Sequence, residues 1–218
     1  MQQIAALYVE TGGSYYNLEG VTPLDQDDDA RMYGGPWPVV AHPPCQRWGK
    51  FFAGSTKVIA DTGVRKRKGD DLGCFKSAMF DLQRFGGVLE HPWGSYAWQH
   101  FGLNKPSRSG GWVKADDKGG WTCCVEQGRY GHYCPKPTKL LVYGVDRADL
   151  PELEWGIYKV TIEDFPAWAV EKYGEKKCRR IGLMSFKGGG TDSSVRIATP
   201  PEFRDILIAI ARSAKQPK

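Results

Sequence analysis

The sequence predicts an α/β fold with parallel strands joined by crossover helices, and three observations carry that prediction. Short apolar runs at Ala5–Val9 and Pro38–Ala41 read as buried strands. A stretch with helical spacing of apolar residues follows at about Asp70–Phe85, and a third apolar run, Val88–Leu89, comes directly after it. Acids or a thiol stand at the ends of these runs and of a further short run at Val21–Leu24: Glu10, Asp25, Cys45 and Glu90. In parallel sheets, ligands bind beyond the carboxyl ends of the strands, so this placement marks one edge of the sheet as the functional edge.

Ala5-Ala6-Leu7-Tyr8-Val9 runs into Glu10-Thr11-Gly12-Gly13-Ser14, a loop, and Val21-Thr22-Pro23-Leu24-Asp25 reads as a short second strand ending on an acid. Pro38-Val39-Val40-Ala41 leads into Pro43-Pro44. Residues before proline favour extended backbone, so a stiff loop follows a strand. In the helix, Asp70 or Asp71 can cap the N-terminus, Leu72, Phe75, Met79, Leu82 and Phe85 share a face, and Gly86-Gly87 ends it. Ala97–Trp121 is rich in Gly, Ser, Trp and Lys and reads as an irregular insertion. Trp121–Val125 and Lys139–Tyr143 read as antiparallel strands. A small variable region covers 146–190, with a short helix at Phe165–Tyr173, and Pro201 opens a final helix with Ile206, Leu207, Ile210 and Ala211 on its apolar face. The whole chain, 1–218, reads as one domain.

Composition narrows the class. The chain has 218 residues, 41% of them hydrophobic, with eight Trp, ten Tyr and nine Phe, enough for a folded core. No apolar run is long enough to span a membrane, so no membrane partner is expected. The N-terminus lacks the pattern of a signal peptide, which points to the cytoplasm. Net charge is +5, with basic runs at Arg65–Lys68 and Lys176–Arg180, compatible with a nucleic-acid partner. Six cysteines without a secretory signal read as reduced thiols. Cys123, Cys124, His132 and Cys134 lie close together but lack paired CxxC spacing; a zinc-dependent reading ranks last, and no metal ligand is assigned.

The chemistry centres on a thiol. To substitute C5 of cytosine, that carbon must become nucleophilic, and thiolate addition at C6 achieves this. A carboxyl beside N3 and the exocyclic amine supports the addition. Pro43-Pro44-Cys45-Gln46 supplies a thiol on a rigid loop, and Leu89-Glu90-His91-Pro92 supplies an acid at a strand end.

His42-Pro43-Pro44-Cys45-Gln46 resembles the Pro-Cys motif of cytosine-C5 DNA methyltransferases, and Glu90-His91-Pro92 resembles their Glu-Asn-Val motif, most closely the Glu-Asn-Pro version of compact phage enzymes. Glu126 to Lys139 resembles the Gln-Tyr-Gly and Lys-Pro-Thr segment of the same enzymes, and Ala198–Glu202 resembles their C-terminal motif. Four motifs in order span about residues 39–205. The resemblance implies a three-layer, Rossmann-like methyltransferase-type sheet, reduced in size, in a phage- or prophage-encoded protein of a bacterial host. It implies DNA as partner, a flipped-out base as substrate geometry, and S-adenosylmethionine as cofactor. Cys45 would be the nucleophile and Glu90 the acid. Gln46, Arg47, His91, Arg129, Lys136 and Lys139 would contact base or phosphate. The chain after Cys45, through Arg65–Lys68, would be a mobile loop closing on DNA.

The expected glycine-rich cofactor loop is reduced here to Gly12-Gly13, with little room for a helix before Val21. Asp25 would bind a ribose and Glu10 the methionine part of the cofactor. This erosion keeps two alternatives open: a hypermodifying enzyme with another donor, and an inactive DNA-binding or anti-restriction protein on the same scaffold. Structural roles also compete for each residue. Cys45 could be a buried thiol, Glu90 a loop cap, and His42, His91 and His132 loop hydrogen-bonders. Trp93, Trp98, Trp112 and Trp121 read as core or loop anchors.

Overall fold

The parallel unit and the antiparallel pair join in one seven-stranded mixed sheet. The computed structural model of the protein describes residues 1–50, 52–54, 56–132, 135–159, 161–165, 167–181 and 198–215. Strands β1 (Ile4–Leu7), β2 (Val21–Leu24), β3 (Val39–Ala41) and β4 (Gly87–Pro92) pair in parallel. β5 (Val113–Lys114), β6 (Trp121–Glu126) and β7 (Pro137–Tyr143) pair antiparallel, and β7 lies antiparallel against β4. The order is β2-β1-β3-β4-β7-β6-β5. The sequence anticipated both halves; their junction is the β4–β7 pairing, which sets Glu90 opposite Leu140 and His91 opposite Lys139.

Each face of the sheet is covered. Among the helices, α1 spans Thr56–Thr62, α2 Cys74–Phe85, α3 Ala97–His100, α4 Ala167–Tyr173, α5 Glu175–Ile181 and α6 Pro201–Ser213. Phe203, Leu207, Ile208, Ile210 and Ala211 of α6 pack on Ile4, Ala6, Val40, Val88, Leu140 and Val142. Phe75, Ala78 and Leu82 of α2 pack on the alternate set, Ala5, Leu7, Val39, Ala41, Leu89 and Leu141. Strand side chains alternate between faces, so a doubly covered sheet needs apolar residues at every central position, and these strands have them. The result is a helix–sheet–helix sandwich, α/β and compatible with a Rossmann-like fold. Neighbouring strands β3 and β4 approach closely at Gly87 (φ 121°), where a Cβ would come within 2.0 Å of the Val39 carbonyl oxygen.

Local chemistry moves several boundaries. α2 starts at Cys74, later than the expected Asp70, because Leu72 (φ 58°) and Gly73 (φ 82°) are left-handed. Asp71 caps this start: its carboxylate accepts from Gly73 N at 3.0 Å and Phe75 N at 2.9 Å. Leu72, expected on the apolar face, is therefore 76% exposed. β4 extends past Leu89 to include Glu90 and His91, because β7 pairs with it to the end. α1 lies in the stretch read as a loop after Cys45, and α5 in a stretch where no element was read. α4 matches the expected short helix, and its Ala169 packs with Phe165 and Cys178 in a small separate cluster. Residues 97–121 are mostly irregular, as expected, apart from α3 and β5. Cys134 and the part of the variable region beyond residue 181 lie outside the described residues.

Candidate active site at the carboxyl edge of the sheet

Strand β1 has β2 on one side and β3 on the other, so the chain reverses direction across the sheet between β1 and β3. In open α/β sheets, ligands bind beyond the strand ends at such a reversal. The loop after β1, the Pro-Pro-Cys loop after β3 and the end of β4 meet there.

The Cys45 loop is pinned at both ends. His42 N donates to Leu7 O at 3.0 Å, continuing the β1–β3 pairing, and Trp48 N donates to Cys45 O at 3.0 Å. Trp48 is buried against Phe75, Phe101 and His100, and its Nε1 donates to Asp71 at 2.7 Å. Tyr96 N donates to Trp48 O at 2.8 Å. Asp71 thus ties the Cys45 loop to the start of α2. Cys45 itself is a free, half-buried thiol. Burial pushes its pKa up from the ordinary 9.0, the Glu90 charge pushes it further, and Lys136 opposes both.

Glu90 is buried on the α6 face at the end of β4. Burial alone would raise its carboxyl. The His42 hydrogen bond and the Lys136 charge outweigh burial, with His91 adding, and hold it down at about 2. Glu90 Oε2 lies 3.1 Å from His42 Nδ1, and Oε1 accepts from Gln127 Nε2 at 3.1 Å. His42 Nε2 lies 2.8 Å from Tyr15 Oη. Tyr15 is buried, and burial first, then Glu90, pushes its phenol well above the ordinary value, so it stays protonated. An ionised Glu90 can only accept, so His42 Nδ1 carries the hydrogen of that contact. Gln127 also donates to Thr138 Oγ1 at 2.8 Å, and Thr138 donates to Lys136 O at 3.1 Å. One chain of hydrogen bonds therefore runs Tyr15–His42–Glu90–Gln127–Thr138, through side chains from five separate segments.

The other expected residues divide by face. Lys136 donates Nζ–H to Ala198 O at 2.8 Å and its charge reaches both Glu90 and Cys45. Gln46 is exposed beside Cys45, and Arg47 donates to Phe52 O at 3.0 Å. Arg129 pairs with Glu154 at 3.7 Å. His91 and Lys139 alternate with Glu90 and Leu140 and so project to the α2 face. His91 is packed among Phe75 and Trp98, neither ring nitrogen meets a partner at good hydrogen-bond geometry, and burial pushes it down to about 4 against the nearby Pro44 carbonyl. Lys139 is buried below Trp98 and donates to Ser95 O at 2.9 Å. These two do not join Glu90 on one face.

On the cofactor side, Glu10 is exposed, and Gly13 N donates to Glu10 O at 2.9 Å. A Cβ on Gly13 would sit 2.8 Å from that same oxygen, so the turn itself requires the glycine. Gly12 is left-handed at φ 68°. Asp25 is buried and fully engaged: Oδ2 accepts from Thr11 Oγ1 and Tyr16 Oη, both at 2.6 Å, and Oδ1 from Asp27 N at 2.9 Å. Thr11, then Tyr16, hold its carboxyl down at about 2. Cys123 and Cys124, adjacent in β6, point to opposite faces and cannot share one ion, and among the described residues no metal-holding cluster forms.

The sequence placed Cys45 and Glu90 together, left His42 as a loop hydrogen-bonder, held Gln127 and Thr138 within the Glu126–Lys139 motif without individual roles, and gave no sign of Tyr15. His42 carried a usable signal, since it continues the β3 alternation from Val40 toward the Glu90 face. Tyr15 carried none, because its loop has no period. Compared with protein families, with curated proteins and with solved structures, the chain shows no match. No described helix is long and apolar enough to cross a membrane.

Proposed function

We propose that this protein is a DNA base-modifying enzyme acting at C5 of cytosine, or of another pyrimidine, through addition of Cys45 to C6. The observation that supports it best is the convergence of Cys45 with an ionised Glu90, held by His42 and Gln127, at one strand-end edge of the sheet. The thiol gives its proton to solvent and the thiolate forms the Sγ–C6 bond, moving the C5=C6 electron pair to C5; that pair bonds the incoming group, and loss of the C5 proton to solvent then restores C5=C6 as the Sγ–C6 bond breaks. Glu90 remains a carboxylate and accepts a hydrogen bond from the exocyclic amine, which orients the ring. The Tyr15–His42 pair fixes that carboxylate in place.

S-adenosylmethionine is the donor implied by the resemblance, and the residues fit it poorly. Both Asp25 oxygens already hold donors from the loops after β1 and β2. No helix follows β1 to offer backbone N–H groups. The saturated Asp25 favours a second reading, the same cysteine chemistry with a different one-carbon or larger donor.

Mass spectrometry of nucleosides from DNA co-expressed with the protein tests both readings, because it reports the base and the group added. DNA containing 5-fluorocytosine should trap a covalent adduct with the native protein and none with Cys45→Ser. Unmodified nucleosides together with no adduct under any donor would overturn the proposal and leave a DNA-binding scaffold.

A further inference from the structure

On the α2 face of the same sheet edge, three cations surround one indole. Lys105 Nζ lies 5.0 Å, the Arg108 guanidinium carbon 5.6 Å and Lys139 Nζ 5.8 Å from the centroid of Trp93. Trp93 is half-buried and held at the strand end by its N–H to Pro137 O at 2.9 Å. Trp98 and Trp112 behave as anchors, with Nε1 donating to Thr122 and to Pro151 O. Trp93 makes no such bond among the described residues and instead presents its ring to the cations.

The charges there do not balance. Arg108 is ion-paired with the wholly buried Glu126, whose other oxygen accepts from Lys136 N at 3.1 Å. Arg108 also reaches Cys124 Sγ at 3.5 Å. One carboxylate against three cations leaves an excess of two positive charges. Lys139 is only 2% exposed and has three donors; its acceptor is the Ser95 carbonyl, with Trp98 below it. Burial, then the Lys105 charge, pushes the Lys139 amine down to about 8. Cation–π contact contributes about 0.5–2 kcal/mol per pair in general and does not remove like-charge repulsion. An anion with several oxygens would remove it.

We infer that Trp93, Lys105, Arg108 and Lys139 form a phosphate-binding site, with a nucleic-acid strand as the source that its position at the functional edge favours. The site goes beyond the pyrimidine reading and needs neither Cys45 nor Glu90; Glu90 projects from the opposite face. Lys105, exposed, and Arg108 supply outward donors, Lys139 supplies fixed buried charge, and Trp93 offers an edge on which a sugar or base can rest.

A labelled oligodeoxyadenylate, which contains no pyrimidine, tests this by anisotropy. Native protein and Cys45→Ser should bind it equally. Lys105→Glu should weaken binding by at least about tenfold, and Lys105→Gln should lower the salt slope by about 0.7, the share of one single-strand phosphate contact. A thermal-shift titration with inorganic phosphate, at ionic strength matched with chloride, separates the sources. Stabilisation of the native protein but not Lys105→Glu, with the oligonucleotide unaffected by the substitution, would assign the site to free phosphate. Equal behaviour of native protein and Lys105→Glu in both assays would overturn the inference. Lys105 is exposed, so its variants should keep the native melting curve. Adduct formation at Cys45 reads the pyrimidine proposal separately.

Discussion

His42 Nδ1 stands 3.1 Å from Glu90 Oε2, and 48 residues of chain separate them. The contact is possible because β3 and β4 are parallel neighbours, with Ala41 in register with Leu89. It joins the Cys45 loop directly to the acid, and it keeps that acid ionised inside the protein.

That contact predicts an acid-stability window. Glu90 sits below its ordinary 4.5, at about 2, so its contribution is fully present above pH 4.5 and is lost as pH falls toward 2. Across that window it amounts to about 3 kcal/mol at most, at roughly 1.4 kcal/mol per pH unit. His42→Ala should raise the Glu90 pKa and shrink this acid-dependent component, and Tyr15→Phe should cost about 1 kcal/mol without shrinking it. Urea melts at pH 2.5, 3.5, 4.5 and 7 measure both. Parallel pH profiles for native protein and His42→Ala would count against the contact.

Cys45 and Glu90 should respond in opposite directions to one substitution. Glu90 raises the thiol pKa, so Glu90→Gln should speed iodoacetamide labelling of Cys45 at pH 8, while it abolishes nucleoside modification. In the native protein, labelling should keep rising above pH 9. Peptide mass spectrometry at Cys45 separates it from the buried thiols Cys123, Cys124 and Cys178. Slower labelling in Glu90→Gln would show that the carboxylate does not act on the thiol.

His91 predicts a second pH window, through a base. Its pKa is depressed from 6.5 to about 4, so the folded protein prefers it neutral, and stability falls as pH drops from 6.5 toward 4. The loss is about 3 kcal/mol at most. His91→Phe should flatten stability across this range, since Phe75 and Trp98 already make an aromatic pocket. An unchanged slope by chemical denaturation at pH 4.5 and 6.5 would place the titration elsewhere.

Gly87→Ala should be among the most damaging single changes. Its Cβ would meet the Val39 carbonyl oxygen at 2.0 Å, in a backbone conformation that side chains rarely adopt. Separation of β3 from β4 would cost more than about 4 kcal/mol and part His42 from Glu90. The expected outcome is insoluble protein, or a melting temperature lowered by many degrees; a soluble variant with native melting would contradict the β3–β4 geometry.

Much of the layout was legible in the chain. Val39–Ala41 before Pro43-Pro44 marked β3 and its stiff loop, the spacing of Phe75, Leu82 and Phe85 marked α2, and Pro201 marked the start of α6. These signals are local, arising from proline's restricted neighbours and from side-chain period. α1 escaped because Thr56–Thr62 has no apolar stripe, and the start of α2 moved because two left-handed residues precede it. At the site, Cys45 and Glu90 were legible as strand-end residues. Asp25 was legible as a strand-end acid too, but its engagement with Thr11 and Tyr16 was not.

Sequence alone thus determined the strand ends and which reactive groups stand on them: a thiol after Pro-Pro, and an acid closing the next strand of the sheet. Tertiary structure decided which groups share a face. The pleat sends Glu90 toward α6 and its neighbour His91 toward α2, and β7 carries Lys139 to the side of His91. It also decided the charge states, because a pKa answers to burial and to partners that arrive from elsewhere in the chain. Tyr15, His42 and Gln127 set the environment of Glu90 only once the loops after β1 and β3 and the turn after β6 are folded onto one edge.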